Sequence, residues 1–235
     1  MRINEIFGPT IQGEGKSLGK RVNFLRLAMC NLYCVWCDTP YTWNWIGSKF
    51  EHPLKYDPKT EIHEMTNEEI VNKIQSLGDV KAVVISGGEP LIQHKQLTSL
   101  VKELKRLGYW IEVETNGTIT PNQELVELVD QFNCSPKMEN SGNAFKARLK
   151  PLVLDALVKN NKTNFKFVVS SEEDVQEILT YIKFFRMKEI YLMPEGRTLE
   201  ELKSHEALVR ELCGKYGFHF TNREHIIQFG PRRGV

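Results

Sequence analysis

Val22-Asn23-Phe24-Leu25-Arg26-Leu27 runs through Ala28-Met29 into Cys30-Asn31-Leu32-Tyr33-Cys34-Val35-Trp36-Cys37-Asp38-Thr39. The first six residues read as a strand, being mostly apolar and β-branched or aromatic. Three cysteines spaced C-x3-C-x2-C follow at once, so they lie in the loop that leaves that strand. Three thiolates this close grip one small inorganic object. Cubane iron–sulfur clusters usually take four thiolates, so three leave one iron without a protein ligand. An open metal position is where chemistry occurs, as at catalytic zinc. Two alternatives stand beside this reading: a zinc site completed by distant His52 or His63, and three cysteines that simply pack.

Outward from the cysteines, short β-rich runs alternate with helical patterns. Strands are predicted over 22–27, 82–86, 110–114, 132–134, 164–169 and 189–193. Thr66-Asn67-Glu68-Glu69 is a capping-box signature, followed by Ile70, Ile74 and Leu77 on one helix face. Leu97, Leu100, Val101, Leu104 and Leu107 make the next apolar face, and 172–185 and 199–216 are two later helices. The alternation predicts an α/β fold with a mostly parallel sheet and right-handed crossovers. About six units, fewer than the eight of a closed barrel, predict a partial, open barrel with outer helices.

Active-site loops of such folds leave the C-terminal ends of the parallel strands. The second strand runs into Ser86-Gly87-Gly88-Glu89-Pro90, the third into Glu114-Thr115-Asn116-Gly117, and the fourth into Ser135-Pro136-Lys137. Polar, glycine-bearing endings thus converge on the cysteine-bearing edge. That convergence favours a catalytic rim over a structural zinc knuckle.

The whole chain sets the frame. Its 235 residues suit one domain spanning 1–235. Lys and Arg total 31 against 30 Asp and Glu, a net charge of +1, which gives no bulk electrostatic case for nucleic acid or membrane. Hydrophobic residues make up 41% and charged residues 26%, an ordinary globular balance. The start lacks the apolar core of a signal peptide, and no apolar run approaches the roughly 18 residues of a membrane span. Five cysteines, three of them clustered, do not look like a disulfide framework, so a cytoplasmic setting is expected. Stretches 47–59 and 137–146 read as loops, the second mobile, and Cys134 and Cys213 as packing residues.

The cysteine triplet, the GGEP turn and the acidic third ending together resemble the radical S-adenosylmethionine superfamily. The resemblance implies that amino and carboxylate groups of S-adenosylmethionine chelate the open iron of a 4Fe–4S cluster. An electron from the cluster then cleaves a carbon–sulfur bond and yields a 5'-deoxyadenosyl radical. Glu5-Ile6-Phe7-Gly8-Pro9-Thr10-Ile11-Gln12-Gly13-Glu14-Gly15, Cys37-Asp38-Thr39 and the closing Arg233-Gly234-Val235 narrow the match. They resemble the 7-carboxy-7-deazaguanine synthase family, whose members turn 6-carboxy-5,6,7,8-tetrahydropterin into 7-carboxy-7-deazaguanine with loss of ammonia, at the head of queuosine-type deazapurine biosynthesis.

That resemblance implies the roles. Cys30, Cys34 and Cys37 ligate the cluster in a loop over 30–39. The cofactor is held by Trp36, Cys37, Asp38, Gly88, Glu114, Asn116, Ser135, Pro136 and Lys137. Met193, Pro194, Glu195 and Gly196 close over its adenine, with Met-Pro where the family has Gln-Pro. Substrate meets Ile11, Gln12, Gly13 and Glu14 within an N-terminal segment 5–15, together with Arg26 and Ser86. For Gln12 the plainer reading is a turn, and for Arg26 an ion pair. Thr39 is the expected Mg2+ ligand. Trp43 and Trp45 wall the site, contact a reductant or pack. A flavodoxin- or ferredoxin-type electron donor and a homodimer are implied as well. Other readings are a glycyl-radical activase and a non-enzymatic zinc-binding module.

Overall fold

Strand residues alternate between two faces with period two, and here that alternation decides what the sheet buries and what it presents. The computed structural model describes residues 1–50, 54–230 and 232–235. Nine strands are found among them: β1 (Arg2–Ile11), β2 (Arg21–Leu27), β3 (His63–Glu64), β4 (Ala82–Gly87), β5 (Trp110–Thr115), β6 (Gln131–Cys134), β7 (Thr163–Val169), β8 (Ile190–Pro194) and β9 (His219–Phe220). The six predicted strands form within one residue at each end. They make the parallel run β2-β4-β5-β6-β7-β8, which the short β9 extends. β1 lies antiparallel beside β2 and β3 antiparallel beside β1. The order starts at β3 and ends at β9, so the sheet stays open, as predicted.

Helices fill the crossovers: α1 (Pro58–Glu61), α2 (Asn67–Ser76), α3 (His94–Arg106), α4 (Gln123–Leu128), α5 (Phe145–Arg148), α6 (Pro151–Lys159), α7 (Glu172–Phe185), α8 (Leu199–Tyr216) and α9 (Glu224–Phe229). The Thr66 hydroxyl accepts the Glu69 N–H at 3.2 Å and Glu69 accepts the Thr66 N–H at 2.7 Å, closing the predicted capping box of α2. One strand face, with Leu25, Val83, Ile85, Ile111, Val113, Phe165 and Phe167, packs on Ile70, Ile74, Leu97, Leu104, Ile178 and Leu212 of the helices. This is the main core. The other face carries Phe24 and Arg26, then Glu112 and Glu114, then Asn133, then Lys166 and Val168, and several of these line a cavity. No helix among the described residues is long and apolar enough to cross a membrane.

Residues 12–20 turn from β1 back into β2, with Gln12 N–H donating to Lys20 O and Gly19 N–H to Gln12 O, both at 2.8 Å. The turn does not hang free. It lies across the concave face, where Gln12 meets Glu112 of β5 and Glu14 meets Lys166 of β7. Gln12 therefore sits in the turn that its plainer reading expected, and that turn is also part of the cavity wall.

Phe167 is fully buried between sheet and helices, whereas Leu152 is 85% exposed. Phe167→Ala is expected to lower unfolding stability by about 3–5 kcal/mol. Leu152→Ala is expected to stay within about 0.5 kcal/mol. Equilibrium denaturation in urea checks both values.

Candidate active site

The C-terminal strand ends surround a cavity of about 430 Å³. Each parallel strand from β2 to β8 delivers part of its wall: Arg26 and Cys30, Ser86–Gly88, Glu114–Asn116, Ser135 and Lys137, Val168, and Met193. Cys34, Trp36, Cys37, Asp38 and Thr39 complete the rim, and Ile11–Glu14 of the turn lie across from them. Of the residues predicted for the site, Pro136, Pro194, Glu195 and Gly196 are not on the cavity wall.

The cysteine loop is braced from afar. Cys34 Sγ accepts from Asn143 Nδ2 at 3.3 Å, while Asn143 Oδ1 accepts the Tyr33 N–H at 2.8 Å. Val35 N–H donates to Ser141 O at 3.1 Å, and Trp36 Nε1 to Asn140 O at 3.1 Å. The predicted loop 137–146 is therefore a support for the cysteines. Trp43 is buried and its Nε1 donates to Cys37 Sγ at 3.3 Å, which makes it part of that support too.

Burial pushes the Cys30 and Cys37 thiols up, and the Cys34 thiol up to about 11. Thiols so raised keep their protons until a metal displaces them, so cluster binding releases protons. Four thiolates around one zinc stand about 3.7 Å apart, from a Zn–S bond of about 2.3 Å. Among the described residues, the group of three candidate ligands whose donor atoms all fall within 4.8 Å is Glu14, Asp38 and His225, not the cysteines. The thiols are thus spread more widely than one zinc requires, which fits a larger inorganic core. His63 is exposed on β3 and off the cavity wall, and His52 lies outside the described residues.

Gly87 and Gly88 explain how the second loop reaches the first. A Cβ on Gly87 would stand 2.2 Å from Leu27 O, and one on Gly88 2.3 Å from Met29 O and 2.7 Å from Cys30 Cβ. Only glycine admits this approach, and Gly87 also needs its φ of +148°. Glu89, fully buried, then ties the loop to the next strand end. It accepts from Leu91 N–H at 3.0 Å, Thr115 Oγ1 at 3.0 Å and Asn116 N–H at 2.6 Å. Burial still raises its carboxyl to about 7 against those hydrogen bonds.

The floor is a buried polar network. Glu112 Oε1 accepts from Gln12 Nε2 and from Asn133 Nδ2, each at 2.6 Å, and Oε2 accepts from Gln131 Nε2 at 3.1 Å. Gln12 Nε2 also reaches Glu114 Oε1 at 3.2 Å, and Ser86 Oγ donates to Glu114 Oε2 at 2.8 Å. Burial, then the nearby Glu114 charge, raise Glu112 to about 7. Asn116 is engaged with Asn31 at 3.0 Å and Thr118 at 3.0 Å, and Lys137 Nζ donates to Ser135 Oγ at 2.8 Å. Arg26 Nε donates to Glu5 Oε1 at 2.6 Å, the ion pair of its plainer reading, yet its side chain also lines the cavity.

Sequence reasoning missed four residues here. Lys166 pairs with Glu14, and Arg223 lies 3.6 Å from Glu14 and 3.4 Å from Asp38 while donating to Gly196 O at 2.7 Å. His225 stands with Glu14 and Asp38, and Glu112 with Gln12. Burial works against the Asp38 charge, but Arg223, His225 and Arg26 hold its carboxyl at about 2. A signal existed for Lys166 and Glu112, since a charge between apolar residues of a strand points to the second face. Arg223 and His225 come from an irregular late stretch with no such pattern.

Residues 26–137 match the radical SAM superfamily model. A 7-carboxy-7-deazaguanine synthase of Pyrobaculum aerophilum is 36% identical over 237 residues, covering 100% of this chain and 97% of that one. This chain belongs to the 7-carboxy-7-deazaguanine synthase family. A family member of Bacillus subtilis is 33% identical over 219 residues, covering 91% of this chain and 84% of its own. The fold of QueE from Escherichia coli superposes with a TM-score of 0.70 at 23% identity, over 94% of this chain and 92% of that one. Family membership therefore comes from the sequence relatives, and the Escherichia coli structure supports the architecture.

Glu112 offers a test of the floor. Its carboxyl is raised from 4.5 to about 7, so its contribution to stability is complete below pH 4.5 and is lost as pH rises through about 7. Between pH 5 and pH 8 the chain should lose stability that Glu112→Gln retains, a difference on the order of 1–3 kcal/mol. Denaturation of both forms across that range measures the difference in slope.

Proposed function

We infer that this chain is a radical S-adenosylmethionine lyase that converts 6-carboxy-5,6,7,8-tetrahydropterin to 7-carboxy-7-deazaguanine and ammonia, in queuosine-type deazapurine biosynthesis. The observation that carries it is the meeting of three cysteines and a buried polar floor in one cavity of a chain of this family. Substrate and product differ by one ammonia, so the conversion is redox-neutral and needs no consumed oxidant. A reduced 4Fe–4S cluster held by the three cysteines, with S-adenosylmethionine, would supply reversible hydrogen-atom abstraction at C6 of the pterin. A glycyl-radical activase and a zinc-binding module leave the polar floor without a purpose.

The chain's own residues hold and orient. Cys30, Cys34 and Cys37 ligate the cluster. Trp36, Cys37, Asp38, Gly88, Glu114, Asn116, Ser135, Lys137 and Met193, which all line the cavity, hold the cofactor in this reading. Pro136 and Pro194–Gly196 act from behind, by shaping the backbone that carries Ser135 and Met193. Arg26, fixed through Nε by Glu5, binds the substrate carboxylate. Ile11–Glu14 and Ser86 meet the pterin ring. Because Gln12 donates to Glu112 and Glu114, its amide is oriented before substrate arrives. Thr39 Oγ1 lines the cavity 3.7 Å from Cys37 Sγ and, as a hard oxygen, suits Mg2+. The electron comes from a flavodoxin- or ferredoxin-type donor, and the enzyme works as a cytoplasmic homodimer acting on a free pterin, not on nucleic acid.

Anaerobic incubation of the reconstituted protein with S-adenosylmethionine, Mg2+, dithionite and the pterin should yield 7-carboxy-7-deazaguanine by mass spectrometry, and Cys34→Ala should yield none. Cofactor cleavage with the pterin left intact would sink the substrate assignment. Deuterium at C6 should appear in recovered S-adenosylmethionine. Thr39→Ala should abolish the response of turnover to added Mg2+; an unchanged Mg2+ titration would remove Thr39 from the metal site.

A further inference from the structure

The closing Arg233-Gly234-Val235 has no task in the reaction as described, yet Arg232, Arg233, Gly234 and Val235 all line the catalytic cavity. They lie outside any helix or strand. Irregular chain keeps its place at a cavity wall only when something ties it there. The tie is Arg233. Its Nη1 donates to Glu61 Oε1 at 3.1 Å and its Nη2 to Glu61 Oε2 at 2.7 Å, the two-pronged fit of a guanidinium to a carboxylate. Nη2 also donates to Asn4 Oδ1 at 3.3 Å, and the guanidinium carbon stands 3.8 Å over the Tyr41 ring.

The receiver is built from parts that the tail does not supply. Glu61 ends α1, Asn4 belongs to β1, and Tyr41 follows the cysteine loop. Asn4 Nδ2 donates to Glu61 O at 2.8 Å and to Oε2 at 2.9 Å, so the carboxylate is aimed without help from Arg233. Glu61 is 8% exposed, and a carboxylate so buried is costly until a cation meets it. The pin also adjoins the substrate half of the cavity. Tyr41 Oη reaches Glu5 Oε1 at 3.5 Å, and the same oxygen holds Arg26. Gly234 turns with φ of +71°, where a Cβ would lie 4.0 Å from Phe7 Cβ, another residue of that half.

We propose that Arg233, received by Glu61, Asn4 and Tyr41, pins residues 232–235 as a wall over the substrate half of the cavity and so acts as a positioning residue for the pterin. This rests on the function inferred above. The pin governs substrate binding and leaves the cluster and S-adenosylmethionine untouched.

The test uses the reconstituted holoenzyme with Arg233→Met, Arg233→Lys, Glu61→Gln and the double variant Arg233→Met/Glu61→Gln. Arg233→Met should raise the pterin KM about tenfold while kcat moves less than about twofold, the mark of lost ground-state binding. Glu61→Gln should act in the same direction, and Arg233→Lys should restore part of the loss. The double variant should be no worse than Arg233→Met alone, because both changes remove one interaction. The KM for S-adenosylmethionine and the cluster absorbance should not move. Trypsin should cut after Arg232 faster in Glu61→Gln, and the pterin should slow that cut in the unaltered protein. An unchanged pterin KM in variants with intact clusters would overturn the pin, as would an equal rise in both KM values. Absence of turnover by the unaltered protein would instead overturn the reaction, and the trypsin rates would then judge the pin alone.

Discussion

Everything at the site depends on how closely two pieces of backbone approach each other. The exit of β4 at Gly87 and Gly88 lies against the exit of β2 at Leu27–Cys30, at separations that leave no room for a single added carbon. That contact places the first cysteine against the GGEP turn. Glu89 extends the register outward by binding the backbone of the β5 exit. Three loops from three strands are thereby fixed to one another before any ligand is present. A larger residue at position 88 would separate the cysteine loop from the second and third loops at once.

The two faces of the sheet do opposite work. Toward the helices the strands present the aliphatic and aromatic residues that supply hydrophobic stabilisation. Toward the cavity, β5, β6 and β7 present buried Glu112, Asn133 and Lys166 and half-buried Glu114, groups whose desolvation opposes folding. Their mutual pairing offsets part of that cost. Glu14 with Lys166 and Asp38 with Arg223 keep their charges, whereas Glu112, which forms no ion pair among the described residues, holds its proton to about 7. A polar floor of this kind weakens the fold and orders the amide of Gln12, which is the trade expected of a binding site.

Much of this was legible in the chain. Short apolar runs gave up their boundaries because several end in Gly, Ser, Asn or Pro, and the helix 172–185 forms over the predicted span. The strand ends named the cavity wall because parallel topology places them together. β1, β3 and β9 are not among the predicted strands; β3 and β9 are two residues each and carry no period. The support given by 140–143 is not legible in the sequence, since Asn-Ser-Gly-Asn signals a turn and says nothing of what its side chains will meet. Arg223 and His225 could not be read at all. Their importance comes from long-range packing of an irregular segment against Glu14 and Asp38, which no local pattern encodes.

The brace on the cysteine loop has a consequence for how the protein is made. Asn143, which donates to Cys34 Sγ, lies 109 residues further along the chain, and Asn140, which receives Trp36, lies 104 residues further. A ribosome that has just produced the three thiols must add about a hundred more residues before their supports exist. Through that interval the cysteine loop lacks the hydrogen bonds that Asn140, Ser141 and Asn143 later supply. The order of translation therefore sets when this protein can safely receive its iron.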